Sequence, residues 1–188
     1  MAGVTRAAPM PPANRVPAAM RGAQSRVRRI AAPGRGRRGH QRSRHLPDVA
    51  LLRSGGIDHS LVDLGESRTL GSHPEGRAWE VAIADPDDAG RTTAVLPIVD
   101  RAVATSGAYG FRFDPPGRFN HLFDPASGRC AYRYHSVTTV ARTAALADAY
   151  STAFSLLSEE QIRSLMPRAG IERVHLIGAG GTVADFGG

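Results

Sequence analysis

The sequence contains no lysine; all 24 of its basic residues are arginine. That points to a GC-rich coding sequence more readily than to selection for guanidinium chemistry. It contains one cysteine, Cys130, which excludes an internal disulfide and any cysteine-based zinc site. No window approaches the roughly 18 apolar residues that a membrane span needs. The N-terminus carries neither an apolar core segment nor an early cysteine, so no secretory or lipoprotein signal is visible. As written, the chain reads as cytoplasmic. Acidic residues are almost missing from its first part. Residues 1–50 hold 11 arginines and one acid, Asp48, whereas residues 51–188 hold 13 arginines and 16 acids. The formal net charge of +7 therefore divides into +10 on the head and −3 on the remainder.

Residues 1–47 are mostly Ala, Pro, Gly and Arg, among them prolines at 9, 11, 12, 17 and 33, with no apolar periodicity. Such a segment cannot bury enough surface to offset its ordering entropy, so it reads as a disordered head. Its arginine clusters could neutralise nucleic-acid phosphates, and its lack of acids superficially resembles a transit peptide. No aromatic residue is interleaved for base stacking, so no specific nucleic-acid partner is assigned.

From Asp48 the texture becomes that of one folded domain, 48–188. A helix ends at Gly55–Gly56, and a strand runs through His59–Leu64. A further strand places Trp79, Val81 and Ile83 on one face, and Asp85–Pro86 ends it. The next run reads as a strand broken by Pro97, then a second strand leading into Thr105–Ser106–Gly107. The segments around Pro115–Pro116–Gly117 read as a hairpin, and Ser136–Ala141 as a short β-branched strand. Thr143 is placed to cap a helix over 144–157. Ser158 and Gln161 form a capping box for another, which Gly170 closes. A last hairpin turns at Gly180–Gly181. The pattern predicts an α+β fold with a mostly antiparallel sheet and packed helices.

Chemistry-bearing residues concentrate between Val99 and Leu157. In the 144–157 helix, Leu146, Tyr150, Ala153 and Leu157 fall on one face, and Asp148, Thr152 and Ser155 on the opposite one. Asp148 and Thr152 stand four residues apart, so their oxygens project one above the other. A carboxylate with a hydroxyl suits magnesium, which keeps several waters and takes few protein oxygens. By spacing alone, a solvated polar face is the plainer reading. His121 and Asp124 lie in a run that by itself reads as an Asp–Pro turn with the histidine exposed. Ala104–Gly107 reads as a strand end whose hydroxyls and glycine could contact phosphate. The Gly178–Ala179–Gly180 run lacks the third glycine of a dinucleotide-binding turn, since Val183 stands there.

Four motifs occur in a telling order: Ala104-Thr105-Ser106-Gly107, then His121-Leu122-Phe123-Asp124-Pro125-Ala126-Ser127-Gly128, then Ser136-Val137-Thr138, then Ala147-Asp148-Ala149-Tyr150-Ser151-Thr152-Ala153. In this order they resemble the C-terminal half of the FAD:protein FMN transferases, the ApbE family. The resemblance covers roughly residues 48–188 and implies an ApbE-like, T-fold-like domain lacking the N-terminal half of the family fold. It implies Mg²⁺-dependent transfer of FMN from FAD to a threonine hydroxyl of an acceptor flavoprotein, with AMP leaving. The alternative it leaves is a non-catalytic flavin-binding or inert remnant. It further implies Asp148 and Thr152 as metal ligands, with Ser151 where some relatives carry a third. Ser106 would line the flavin site and Phe123 would contact the nucleotide. His121 would lie near the pyrophosphate as donor or proton shuttle. Many members are exported or membrane-anchored. The family's Gly-Gly-x-Ala-Lys-Gly segment, which supplies a further ligand, is absent from residues 1–47. The composition of that head is what a GC-rich gene read in a shifted frame would give. A truncated or mis-started chain, not competent in transfer alone, is therefore expected.

Overall fold

The computed structural model describes residues 49–88, 90–109, 113–114 and 119–187. The reading of residues 1–47 lies outside these, as does the turn at 115–117. Among the described residues no helix is long and apolar enough to cross a membrane.

The elements run α1 (Val49–Ser54), β1 (Ser60–Asp63), β2 (Ser67–Leu70), β3 (Trp79–Ala84), β4 (Thr92–Ile98), β5 (Ala102–Gly107) and β6 (Tyr134–Ala141). They continue through α2 (Ala144–Phe154), α3 (Glu159–Ala169), β7 (Ile171–Gly178) and β8 (Val183–Gly187). Six strands form one antiparallel sheet in the order β1-β2-β5-β6-β7-β8, and β3 pairs with β4 in a separate two-stranded ribbon. The expected α+β class with a mostly antiparallel sheet is the observed one.

Strand alternation creates the layers. On β5, Ala102 and Ala104 join the core shared with α2 and α3, whereas Val103 faces the other way. There Val103 pairs with Val140 of β6, and both pack beneath Trp79 and Ile83 of β3 and Leu96 and Ile98 of β4. The β-branched run of β6 is buried almost throughout, as a central strand covered on both faces should be. Helices thus cover one face of the main sheet and the ribbon covers the other.

α2 lies close to the sheet because small residues meet there. Ala102, Ala104 and Ala141 of the sheet face Ala144 and Ala147 of the helix, and Phe154 fills the far end with no exposure. Thr139 Oγ1 donates to the Ala147 carbonyl oxygen at 2.7 Å, pinning helix to strand. The residues buried by α2 are Ala144, Ala147, Ser151 and Phe154. This corrects the expected apolar face: Leu146, Tyr150 and Leu157 are only half-buried, Ala153 is exposed and Ser155 is buried. Close approach selects the small side chains, and larger ones flank the contact. The helix also stops at Phe154 rather than 157, with the Leu156 and Leu157 amides bonding three residues back.

Both helix starts follow their sequence signals. Thr143 accepts from the Leu146 amide, and Ser158 and Gln161 form a reciprocal capping box. Gly170, at φ 67°, closes α3 in the left-handed conformation.

Pro97 does not break a strand; it sits inside β4 opposite Glu80. A two-stranded ribbon uses the N–H of alternate residues only, so a proline is tolerated there. β2, Ser67–Leu70, is a strand that the sequence reading omitted. Phe113 and Phe119 flank the predicted hairpin turn and share a backbone hydrogen bond of 2.9 Å, but neither lies in a strand.

Candidate functional site

The end of β5 meets the second half of α2. Ser106 is the last residue but one of its strand and pairs with Val137. Its hydroxyl lies 2.8 Å from Ser151 Oγ and 2.9 Å from Thr152 Oγ1. Three of the six residues singled out in the sequence thus converge across a separation of 45 residues or more.

The proton order in this trio follows from one commitment. Ser151 donates its hydroxyl proton to the Asp148 carbonyl oxygen at 2.9 Å. It must therefore accept from Ser106, which leaves Ser106 to accept from Thr152. Thr152 is exposed, and with its proton spent inward both its lone pairs stay available outward. Ser151 is fully buried, with its oxygen between strand and helix backbone. Its hydroxyl, which the motif resemblance implies as a metal ligand, is engaged here by Ser106 and the Asp148 carbonyl oxygen.

Asp148 is half-buried one turn before Thr152. The donor set for a cation here is one carboxylate and one hydroxyl. Among the described residues no group of three or more His, Cys, Asp or Glu side chains could hold a metal. Two protein oxygens fit magnesium only when phosphate oxygens and waters complete its shell.

His121 and Phe123 stand on a separate loop, 119–131, and both are exposed. Buried Asn120 shapes this loop: its Nδ2 donates to the Ala131 carbonyl oxygen at 2.8 Å, and its Oδ1 accepts from the Leu122 amide at 2.9 Å. Asp124 shapes the next turn, its carboxylate accepting from Ser127 Oγ at 2.6 Å and from the Ala126 amide at 3.0 Å. The Ser127 hydroxyl, with that amide, holds the Asp124 carboxyl below its ordinary range. Phe123 stacks on Phe113 with ring centroids 6.1 Å apart. Asn120 was missed because nothing in a polar loop residue signals burial before the fold exists.

A cleft of about 590 Å³ separates this loop from the residues just after α2, lined by Asp124, Ser127, Arg129, Tyr132, Arg133 and Leu156. Its two guanidinium groups favour an anionic occupant. Near the trio, Gly107 lies under the Tyr109 ring, and a Cβ there would run into that ring and press on the His135 carbonyl oxygen. Burial raises the Tyr109 phenol above its ordinary value.

Fold and site together define a layered α+β domain with a hydroxyl-rich site where a strand end meets a helix. A model of the ApbE family matches residues 48–175, so the chain belongs to the ApbE family. It is 35% identical over 127 residues to the FAD:protein FMN transferase of Escherichia coli K12, covering 64% of this chain and 36% of that relative. It is 34% identical over 136 residues to the Rhodobacter capsulatus enzyme of the same name, covering 71% of this chain and 26% of the relative. Among solved structures, the ApbE protein of Thermotoga maritima superposes with a TM-score of 0.63 at 28% identity, covering 73% of this chain and 46% of that one. The flavin transferase ApbE of Vibrio cholerae gives 0.57 at 28% identity, with 73% and 45% covered. The chain therefore spans less than half the length of these relatives.

Proposed function

We propose that this chain carries the flavin-nucleotide and metal-binding part of an FAD:protein FMN transferase. The reaction would join the FMN phosphorus to a threonine hydroxyl of an acceptor protein, break the bond to the AMP phosphate and release the hydroxyl proton. The observation that carries this reading is the Ser106–Ser151–Thr152 hydroxyl chain beside Asp148, which turns Thr152's lone pairs outward. Asp148 and Thr152 would hold Mg²⁺, which when bound would offset charge on the pyrophosphate.

The remaining roles belong to the chain's own groups. Ser106 and Ser151 fix the orientation of Thr152, and Arg129 and Arg133 in the cleft beside the 119–131 loop attract the anionic nucleotide. Phe123 supplies backbone contact to the nucleotide. His121, exposed on the same loop, would donate to a phosphate oxygen or accept the hydroxyl proton. The single carboxylate at the metal site favours a second reading, a flavin-binding module without transfer.

The test incubates the full chain with FAD, MgCl₂ and a threonine-containing acceptor peptide, and follows peptide mass and AMP release. A mass increase equal to an FMN phosphodiester, lost with EDTA, supports transfer. FAD binding with no mass increase supports the second reading, and neither binding nor transfer contradicts both.

A further inference from the structure

At the opposite end of β5 lies a second cleft, of about 610 Å³, with a different composition. Four separate elements bring arginines to it: Arg53 from α1, Arg68 from β2, Arg101 from the turn before β5 and Arg142 from the turn before α2. One carboxylate, Asp100, lies among them.

That carboxylate is already engaged. Asp100 adopts φ 54°, the left-handed region that non-glycine residues rarely visit, and its Oδ1 accepts from the Gly71 amide at 2.9 Å. The same oxygen meets Arg53 Nη2 at 3.4 Å. Arg101 is drawn partly aside by Glu172 at 2.5 Å. Arg68 Nη1 donates to the Thr69 carbonyl oxygen at 2.6 Å, a neutral partner. Burial first, and Arg101 and Arg53 beside it, hold the Arg68 guanidinium below its ordinary value, with only Asp100 opposing them. Arg142 is exposed at the start of α2, where the first turn's N–H groups add positive potential. Four guanidinium charges against Asp100 and Glu172 leave a net charge of +2 at one concave place. Guanidinium groups gathered this way favour the planar or tetrahedral oxyanions they bind bidentately.

We propose that this cleft is a binding site for a phosphate-bearing anion, either inorganic phosphate or the phosphate of a nucleoside monophosphate. It is distinct from the hydroxyl site at Ser106. Five residues of extended strand separate Arg101 from Ser106, about 17 Å at roughly 3.3 Å per residue, too far for one pyrophosphate to touch both. The volume exceeds that of phosphate alone and lies within the usual range of roughly 300–1,000 Å³ for small-ligand pockets. Arg68, half-buried, would anchor the anion, with the exposed Arg142 meeting it from the solvent side.

The test is isothermal titration of the full chain, without magnesium, at low ionic strength, with inorganic phosphate in one arm and AMP in the other. Saturable binding in either arm is expected, with the tighter arm naming the source. It should weaken at least tenfold in Arg68→Gln and severalfold in Arg142→Gln, while Asp148→Ala leaves it unchanged. The exposed Arg142 variant keeps the test valid if Arg68→Gln fails to fold. No saturable binding of either probe, or binding unaltered by Arg142→Gln, overturns the proposal. Tighter binding in Asp148→Ala, as removal of a carboxylate beside the anion would give without magnesium, would place the anion at the hydroxyl site and overturn it too. Since magnesium-dependent FAD binding is read separately, failure here leaves the proposed transfer function standing.

Discussion

Hydroxyl groups rather than charges connect the strand and helix of the candidate site. A buried serine at position 151 needs partners for its oxygen, and it finds them in Ser106 and the Asp148 carbonyl. Ser106→Ala should therefore cost about 1–2 kcal/mol of stability, because it leaves Ser151 short of a donor inside the contact. Denaturant unfolding of the two proteins measures this, and an unchanged midpoint would show that the trio is dispensable. Elsewhere, Arg173 grips Asp185 with two bonds of 2.9 Å, and His175 Nδ1 stands 3.3 Å from the same carboxylate. The Arg173 hydrogen bond, opposed by partial burial and aided by His175, lowers the Asp185 carboxyl below its ordinary value. A depressed carboxyl stabilises the fold above its unfolded value, about pH 4, and loses that contribution as pH falls through the folded value. Arg173→Gln should thus move acid unfolding to higher pH and cost about 0.5–1 kcal/mol at neutral pH. Equal acid midpoints in the two proteins would refute this.

At the scale of elements, α2 positions the site through small side chains. Its caps were legible in the sequence, because Thr143, Ser158 and Gly170 act locally through their own backbone neighbours. Its buried face was not legible. Leu146 and Tyr150 carry more apolar surface than Ala147 or Ser151, yet closeness to β5 and β6 decides what fits. β2 was also hidden, since Ser-Arg-Thr-Leu is too short and polar to announce a strand without its partners β1 and β5. Motif order named Ser106, Ser151 and Thr152, but only the antiparallel pairing that sets β5 beneath α2 explains their meeting. Phe154, fully buried at the helix end, anchors this geometry. Phe154→Ala should destabilise by about 3–5 kcal/mol. If FAD binding survives at temperatures where the variant is still folded, with unaltered affinity, the helix does not set the site by packing.

Across the whole of the described domain, three layers place two polar sites at opposite ends of one strand. The hydroxyl end carries the family motifs, and the arginine end draws on α1, β2 and two turns. The central claim is that Asp148 and Thr152 form a cation site usable only with a phosphate-bearing nucleotide. Its most direct measurement is calorimetry of FAD binding with and without MgCl₂ in the wild type, Asp148→Ala and Thr152→Ala. The carboxylate contributes a full charge and the hydroxyl only a dipole, so the magnesium-dependent part of FAD binding should vanish in Asp148→Ala and fall severalfold in Thr152→Ala. Equal magnesium-dependent FAD affinity in the wild type and Asp148→Ala would contradict the account.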